Sequence, residues 1–100
     1  MIQQHAQAAT PEASRIMQRL CYHFGRKVQA QCNEKRGTVV FPWGVCDMQA
    51  TPAGLRFTLN ADDENLLASG REVIDGHMAL FTRKAPITLS WSAPSQAPVR

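Results

Sequence analysis

The stretch RGTVVFPWGVCDMQA, Arg36 to Ala50, decides the fold. Two apolar runs, GTVVF and CDMQA, stand on either side of Pro-Trp-Gly-Val. Side chains that alternate, turn on Pro and Gly, and alternate again describe an antiparallel hairpin. A four-residue loop, Pro42 to Val45, sets Phe41 opposite Cys46, Val39 opposite Met48 and Gly37 near Ala50. Val39, Phe41, Cys46, Met48 and Ala50 then share one face. A three-residue loop would pair Val39 with Asp47 and split the apolar set, so the buried face argues for four. Pro42 presets φ at the second turn position, and Gly44 accepts positive φ.

The same pattern recurs immediately downstream. With Ala53-Gly54 of TPAG as the turn centre, Ala50 pairs with Phe57 and Met48 with Leu59. Leu55, Phe57 and Leu59 continue the core face, while Arg56 and Thr58 face out. Upstream, KVQAQCN alternates strictly, with Val28, Ala30 and Cys32 on one side, and NEKRG turns the chain back. This reads as a half-buried strand.

Two helical patterns bracket these strands. In the first, Ala13, Ile16, Met17, Leu20, Cys21 and Phe24 recur at spacings of three and four. Thr10 can cap it, Pro11 suits its first position, Glu12 suits its positive end, and Gly25 marks its end. The second runs through ADDENLLASGREVIDGHMALFTRK. Asp62 or Asp63 caps it, and Leu66, Leu67, Gly70, Val73, Ile74, His77, Met78 and Phe81 form its apolar line. Gly70 lies on that line, where a missing side chain permits close approach to the sheet. Arg83 and Lys84 complement the negative helix end.

PITLSWS forms a last strand with Ile87, Leu89 and Trp91 on one face. IQQHAQAA, weakly patterned, reads as a short edge strand. The order is β-α-β-β-β-β-α-β, with the first strand the least marked. Two helices with one apolar stripe each must cover one face of an antiparallel sheet. The fold class is therefore α+β in two layers, with five to six strands and both helices on one face. A single domain spans residues 1–92, and residues 93–100, APSQAPVR, form a flexible tail.

Composition excludes several function classes. The 100 residues are 44% hydrophobic and 19% charged, ordinary for one globular domain. No apolar run approaches the ~20 residues of a membrane helix, and MIQQHAQAAT has neither the basic nor the apolar region of a secretory signal. An odd number of cysteines, Cys21, Cys32 and Cys46, without such a signal points to reduced thiols in a cytoplasm. No two of them have zinc-site spacing, and His5, His23 and His77 add no recognised metal pattern, so no metal ligand is assigned. Residues 1–60 carry seven Lys/Arg against three acids, whereas residues 61–100 carry four against five. A mildly basic face follows, well short of a dedicated nucleic-acid binder.

LCYHFGRKV, RGTVVFPWGVCDMQA and HMALFTRKAPITLSW resemble, in order and spacing, the bacterial family known as domain of unknown function 2218. The likeness runs from about Pro11 to Trp91 and is most specific in the central RG…FP.G.C pattern. The resemblance implies no activity. It implies an association with siderophore-utilisation flavoproteins, as neighbours or fusion partners, and hence with iron metabolism. Val40 departs from the outward polar residue that the family pattern carries. This leaves a covered or self-associating face, and with it a homodimer, open.

Candidate site residues are few. Cys46 on the sheet and His77 on the second helix both point toward the core, where a thiol and an imidazole can form a nucleophilic pair. The alternative is an inert buried thiol beside a hydrogen-bonded histidine. Cys21 and His23 lie two apart on one helix and so point to different sides. Arg15, Arg19, Tyr22, His23 and Arg26 form a basic patch suited to phosphate, anionic lipid or an acidic partner, or simply a solvated face. There is no glycine-rich phosphate loop, no serine elbow and no exposed aromatic row to stack bases. Arg36 and Trp43 lie at opposite ends of one strand pair. Trp43 is either a binding anchor at a loop tip or a cover for the sheet edge. The reading is a small cytoplasmic binding or accessory domain rather than an enzyme, its cofactor unknown. A thiol enzyme using Cys46 and His77, or a weak nucleic-acid binder through Arg15 and Arg19, is the alternative.

Overall fold

The computed structural model describes residues 1–96. Its elements run β1 (Ile2–Ala8), α1 (Ala13–Phe24), β2 (Gln29–Cys32), β3 (Arg36–Phe41), β4 (Gly44–Thr51), β5 (Gly54–Ala61), α2 (Glu64–Phe81), β6 (Ser90–Trp91) and β7 (Ser95–Gln96). The seven strands form one antiparallel sheet in the order β2-β3-β4-β5-β1-β6, with β7 also on β1. Both helices pack on one face. The core between them holds Ile16, Met17, Leu20 and Phe24 from α1 and Leu67, Ile74 and Met78 from α2. They pack against Val39, Cys46, Met48, Leu55, Phe57, Leu59 and Ala61 of the sheet. The α+β two-layer class and the element order follow the sequence reading, with one strand more than expected.

Both central hairpins turn differently from the expectation: the first is tighter, and the second turns one residue earlier. Val39 pairs with Cys46 and Phe41 with Gly44, so the turn is Pro42-Trp43 alone. Thr51 pairs with Gly54, Ala50 with Leu55 and Met48 with Phe57, so the second turn is Pro52-Ala53. Each register is displaced by two residues from the expected one. A shift of two leaves every side chain on its original face, so the apolar pattern cannot distinguish the two registers. Turn chemistry does: Pro takes the second turn position and Gly the fourth. Gly44 (φ 157°) and Gly54 (φ 147°) also lie against neighbouring backbone. A Cβ on Gly44 would run into the Asn60 carbonyl oxygen, and one on Gly54 into that of Ala8.

The first strand is an interior strand, not an edge. β1 pairs along its whole length with β5, from Ile2 opposite Ala61 to Ala8 opposite Leu55. Its other side takes β6 at Ala6 and Gln7 and β7 at Ile2 and Gln3. Its pattern is weak because a core position holds Gln4, which is 3% exposed. That amide is satisfied: Gln4 Nε2 donates to the Ser92 carbonyl at 2.6 Å, and Arg71 Nη1 donates to Gln4 Oε1 at 2.9 Å. Burial without a cost in unmet hydrogen bonds follows.

Helix boundaries also shift. α1 begins at Ala13 because Thr10 Oγ1 accepts the Glu12 N–H at 3.1 Å, closing a turn before the helix rather than capping it. Asp63 does cap α2, its Oδ1 accepting the Leu66 N–H at 2.8 Å. After α2, buried Thr82 donates to the Met78 carbonyl at 2.6 Å and accepts from the Ile87 N–H at 3.2 Å. The chain is held there, so pairing of PITLSWS with the sheet starts only at Ser90. Ser95 and Gln96, placed in the tail by the sequence reading, pair with Gln3 and Ile2; the rest of that tail, 97–100, lies outside the described residues. No helix among the described residues is long and apolar enough to cross a membrane.

Candidate functional site

Helical periodicity places Arg15, Arg19 and Tyr22 on the side of α1 that the core does not use, Arg26 follows in the turn after the helix, and all four are exposed. Tyr22 is 75% exposed. The Arg26 guanidinium lies 5.7 Å from the Tyr22 ring centroid. Arg19 lies 4.9 Å over the ring of Phe81, the last residue of α2. These are cation–π distances. The Arg19 contact ties the basic stripe of α1 to the C-terminal end of α2.

Behind Arg19 the two helices meet through aromatic rings. His23 and His77 have ring centroids 5.0 Å apart, and His23 meets Phe81 edge-on at 5.4 Å. Phe24 lies 4.7 Å from His77 and 4.9 Å from Phe41, which stacks on Trp43 at 4.7 Å. An unbroken ladder of rings thus runs from the β3–β4 turn to the end of α2. His77 Nδ1 is 2.7 Å from the Val73 carbonyl oxygen, so that nitrogen carries the proton and donates. Partial desolvation, then the positive surroundings of His77, Arg26 and Lys27, push His23 below its ordinary value.

An open depression of about 1170 Å³ lies along α1 toward the edge strand β2, lined by Arg15, Arg19, Tyr22, His23, Arg26 and Phe81 among others. A neighbouring recess of about 720 Å³ shares Arg15, Arg19 and Phe81 and adds Arg83, Lys84 and half-exposed Leu80. The one ion pair among the described residues joins Arg15 to Glu12 at 3.2 Å. Arg19, Arg26, Arg83 and Lys84 therefore have no acidic partner there. The combined surface is cationic with aromatic walls. Such a surface offers guanidinium and ammonium groups beside aromatic rings, a chemistry suited to anions.

Four candidate residues, Arg15, Arg19, His23 and His77, come together on this side. The other two do not. Trp43 turns back over α2 at Gly70, at the far end of the ring ladder. Arg36 faces the opposite side of the sheet. It stands in one cross-strand row with Gln49, Arg56 and Gln7, beside a depression of about 700 Å³. No Phe, Tyr or Trp side chain lines that depression.

Cys46 is fully buried under the helices. Burial, then the nearby Asp47 and Cys21, push its thiol far up and keep it protonated. No hydrogen bond among the described residues joins it to His77. Nor is any group of three His, Cys, Asp or Glu side chains among them placed to hold a metal. Sequence reasoning missed Phe81 as part of the site, reading it only as core. It also read Arg83 and Lys84 only as complements to the helix end. For Phe81 the signal was its position one turn after His77; which turn of α1 would face it, or face Arg83 and Lys84, was not legible.

The model for a family described as uncharacterised protein conserved in bacteria, domain of unknown function 2218, matches residues 5–92. No curated protein matches the chain. The NMR structure of PA4090 from Pseudomonas aeruginosa is similar to this chain, with a TM-score of 0.77 and 27% identity, covering 92% of this chain and 96% of that one.

Proposed function

Because the chain belongs to domain of unknown function 2218, a bacterial family, we propose its function from its own geometry: a small non-catalytic binding domain for an anionic ligand or partner. The observation that carries this is Arg19. Its guanidinium lies over the Phe81 ring beside His23, without a carboxylate partner among the described residues. A guanidinium left unpaired at the mouth of an aromatic-walled depression is set to pair with something brought to it. The burial of Cys46 favours binding over a thiol nucleophile.

The siderophore association implied by the family resemblance belongs to this proposal, and it selects the first probes. Purified chain is titrated at low salt with ferric siderophores, haem, flavin and nucleotides, read by thermal shift and calorimetry. One of these raises Tm, with affinity that falls as salt rises. Arg19→Glu weakens binding by about tenfold or more, equivalent to about 1.4 kcal/mol. If no probe raises Tm and a pull-down retains no partner, the binding proposal is abandoned.

A further inference from the structure

The third turn of α1 and the edge strand β2 lie close together. Lys27 and Val28 N–H groups both bond the Phe24 carbonyl, at 3.1 and 3.0 Å, and so fold the chain sharply from helix to strand. A Cβ on Gly25 would touch the Cys21 carbonyl oxygen at 3.2 Å and the Ala30 Cβ at 3.6 Å. Across this junction Cys21 points from the helix toward the sheet, and Cys32 points from β2 toward the helix. Both line the same depression, and Cys32 lies near enough to Cys21 to help raise its thiol. Cys21 is buried and Cys32 exposed. Beside Cys32, Gly37 has no side chain. A Cβ there would meet the Cys32 Cβ at 3.3 Å, so glycine leaves the Cys32 side chain room to turn.

We infer that Cys21 and Cys32 form a dithiol site, oxidised by hydrogen peroxide to an intramolecular disulfide that ties α1 to β2. Exposed Cys32 attacks the peroxide first. Its sulfur bonds one oxygen, the O–O bond breaks, and the displaced hydroxide takes up the Cys32 proton and leaves as water. Cys21 sulfur then bonds Cys32 sulfur, the S–O bond of the sulfenic acid breaks, and a second water leaves with the Cys21 proton. Two thiols are oxidised and one peroxide is reduced to two waters. Cys46, sealed in the core, takes no part. The site stands whatever the basic face binds.

Peptide mapping tests it directly on the full chain. The protein is reduced, freed of reductant, treated with hydrogen peroxide, then unfolded and alkylated. Trypsin separates Leu20–Arg26, Val28–Lys35 and Gly37–Arg56, one cysteine in each. The expected product is Leu20–Arg26 cross-linked to Val28–Lys35, with the Cys46 peptide alkylated and the chain monomeric on non-reducing gels. Cys46→Ala gives the same cross-link. Cys21→Ser stops the reaction at oxidised Cys32, and Cys32→Ser removes it. Alkylated Cys21 after oxidation of the wild type overturns the inference. So does oxidation confined to Cys32, or a dimer linked through Cys32.

Discussion

A Cβ built on Gly70 would meet three carbons of the Trp43 ring at 2.6 to 2.8 Å. The ring has little room to retreat, because its other side stacks on Phe41 at an interplanar angle of 13°. Glycine in mid-helix costs about 1 kcal/mol relative to alanine, so this position trades helix propensity for contact with the indole. Gly70→Ala is therefore expected to destabilise by about 1–3 kcal/mol through overpacking, despite its better propensity. In a Trp43→Ala background the same change becomes neutral or stabilising. Chemical denaturation of the four proteins of this cycle measures the coupling. Additive effects would mean that the ring and the glycine do not meet. Gly76, with nothing within 4 Å of its would-be Cβ, is the internal contrast in the same helix.

At the scale of elements, the two helices start in different ways. α2 has a side-chain cap in Asp63, while Glu12 at the start of α1 makes no such bond. Asp63→Ala should lower stability by about 1 kcal/mol, and Glu12→Ala by much less. Urea unfolding midpoints compare them, and equal losses would contradict the assigned caps. The strands depend on their turns in a related way. Both Pro-x-Gly turns end on a glycine that lets the next strand's backbone approach. The sheet is thus held in register by turn chemistry at one end of each hairpin. Its long-range closure is different in kind. β1, from the start of the chain, becomes interior only because β5 on one side and β6 and β7 on the other reach it. The Arg71–Gln4–Ser92 chain of hydrogen bonds links α2, β1 and the segment after β6.

For the whole molecule, the buried thiols set an alkaline limit. Burial first, then the neighbouring Cys32, pushes Cys21 from 9.0 up to about 12, and burial pushes Cys46 up as well. In the unfolded chain both ionise near the ordinary value, while in the folded chain they stay protonated. The folded state then binds more protons, so stability falls as pH rises above 9.0 toward 12. Each such proton contributes about 1.4 kcal/mol per pH unit. Tm measured from neutral pH upward should decline in this window, and Cys46→Ala should flatten the decline by one proton's share. An unchanged slope in the variant would show that Cys46 ionises in the folded protein. The charges of Arg15, Arg19 and Arg26 stay outside that core, on the surface.

The sequence alone determined the two-layer α+β class, the order of elements, and which side chain of nearly every strand and helix faces the core. It did so because alternation and the helical period are local properties, carried by neighbours a few residues apart. The stripe of Arg15, Arg19, Tyr22 and Arg26 was legible for the same reason. Only the tertiary structure decided the rest. The hairpin registers stayed ambiguous because a slip of two preserves every face. β1 looked like an edge because its interior position rests on partners more than forty residues away and on a buried amide, Gln4, satisfied by Ser92 and Arg71. Trp43 remained open between anchor and cover until Gly70, far along the chain, supplied the surface it lies on. Cys21 and Cys32 show no motif, since their meeting depends on the angle at which α1 descends onto β2. Contacts between distant segments depend on packing of the whole core, and no local pattern in the chain encodes them.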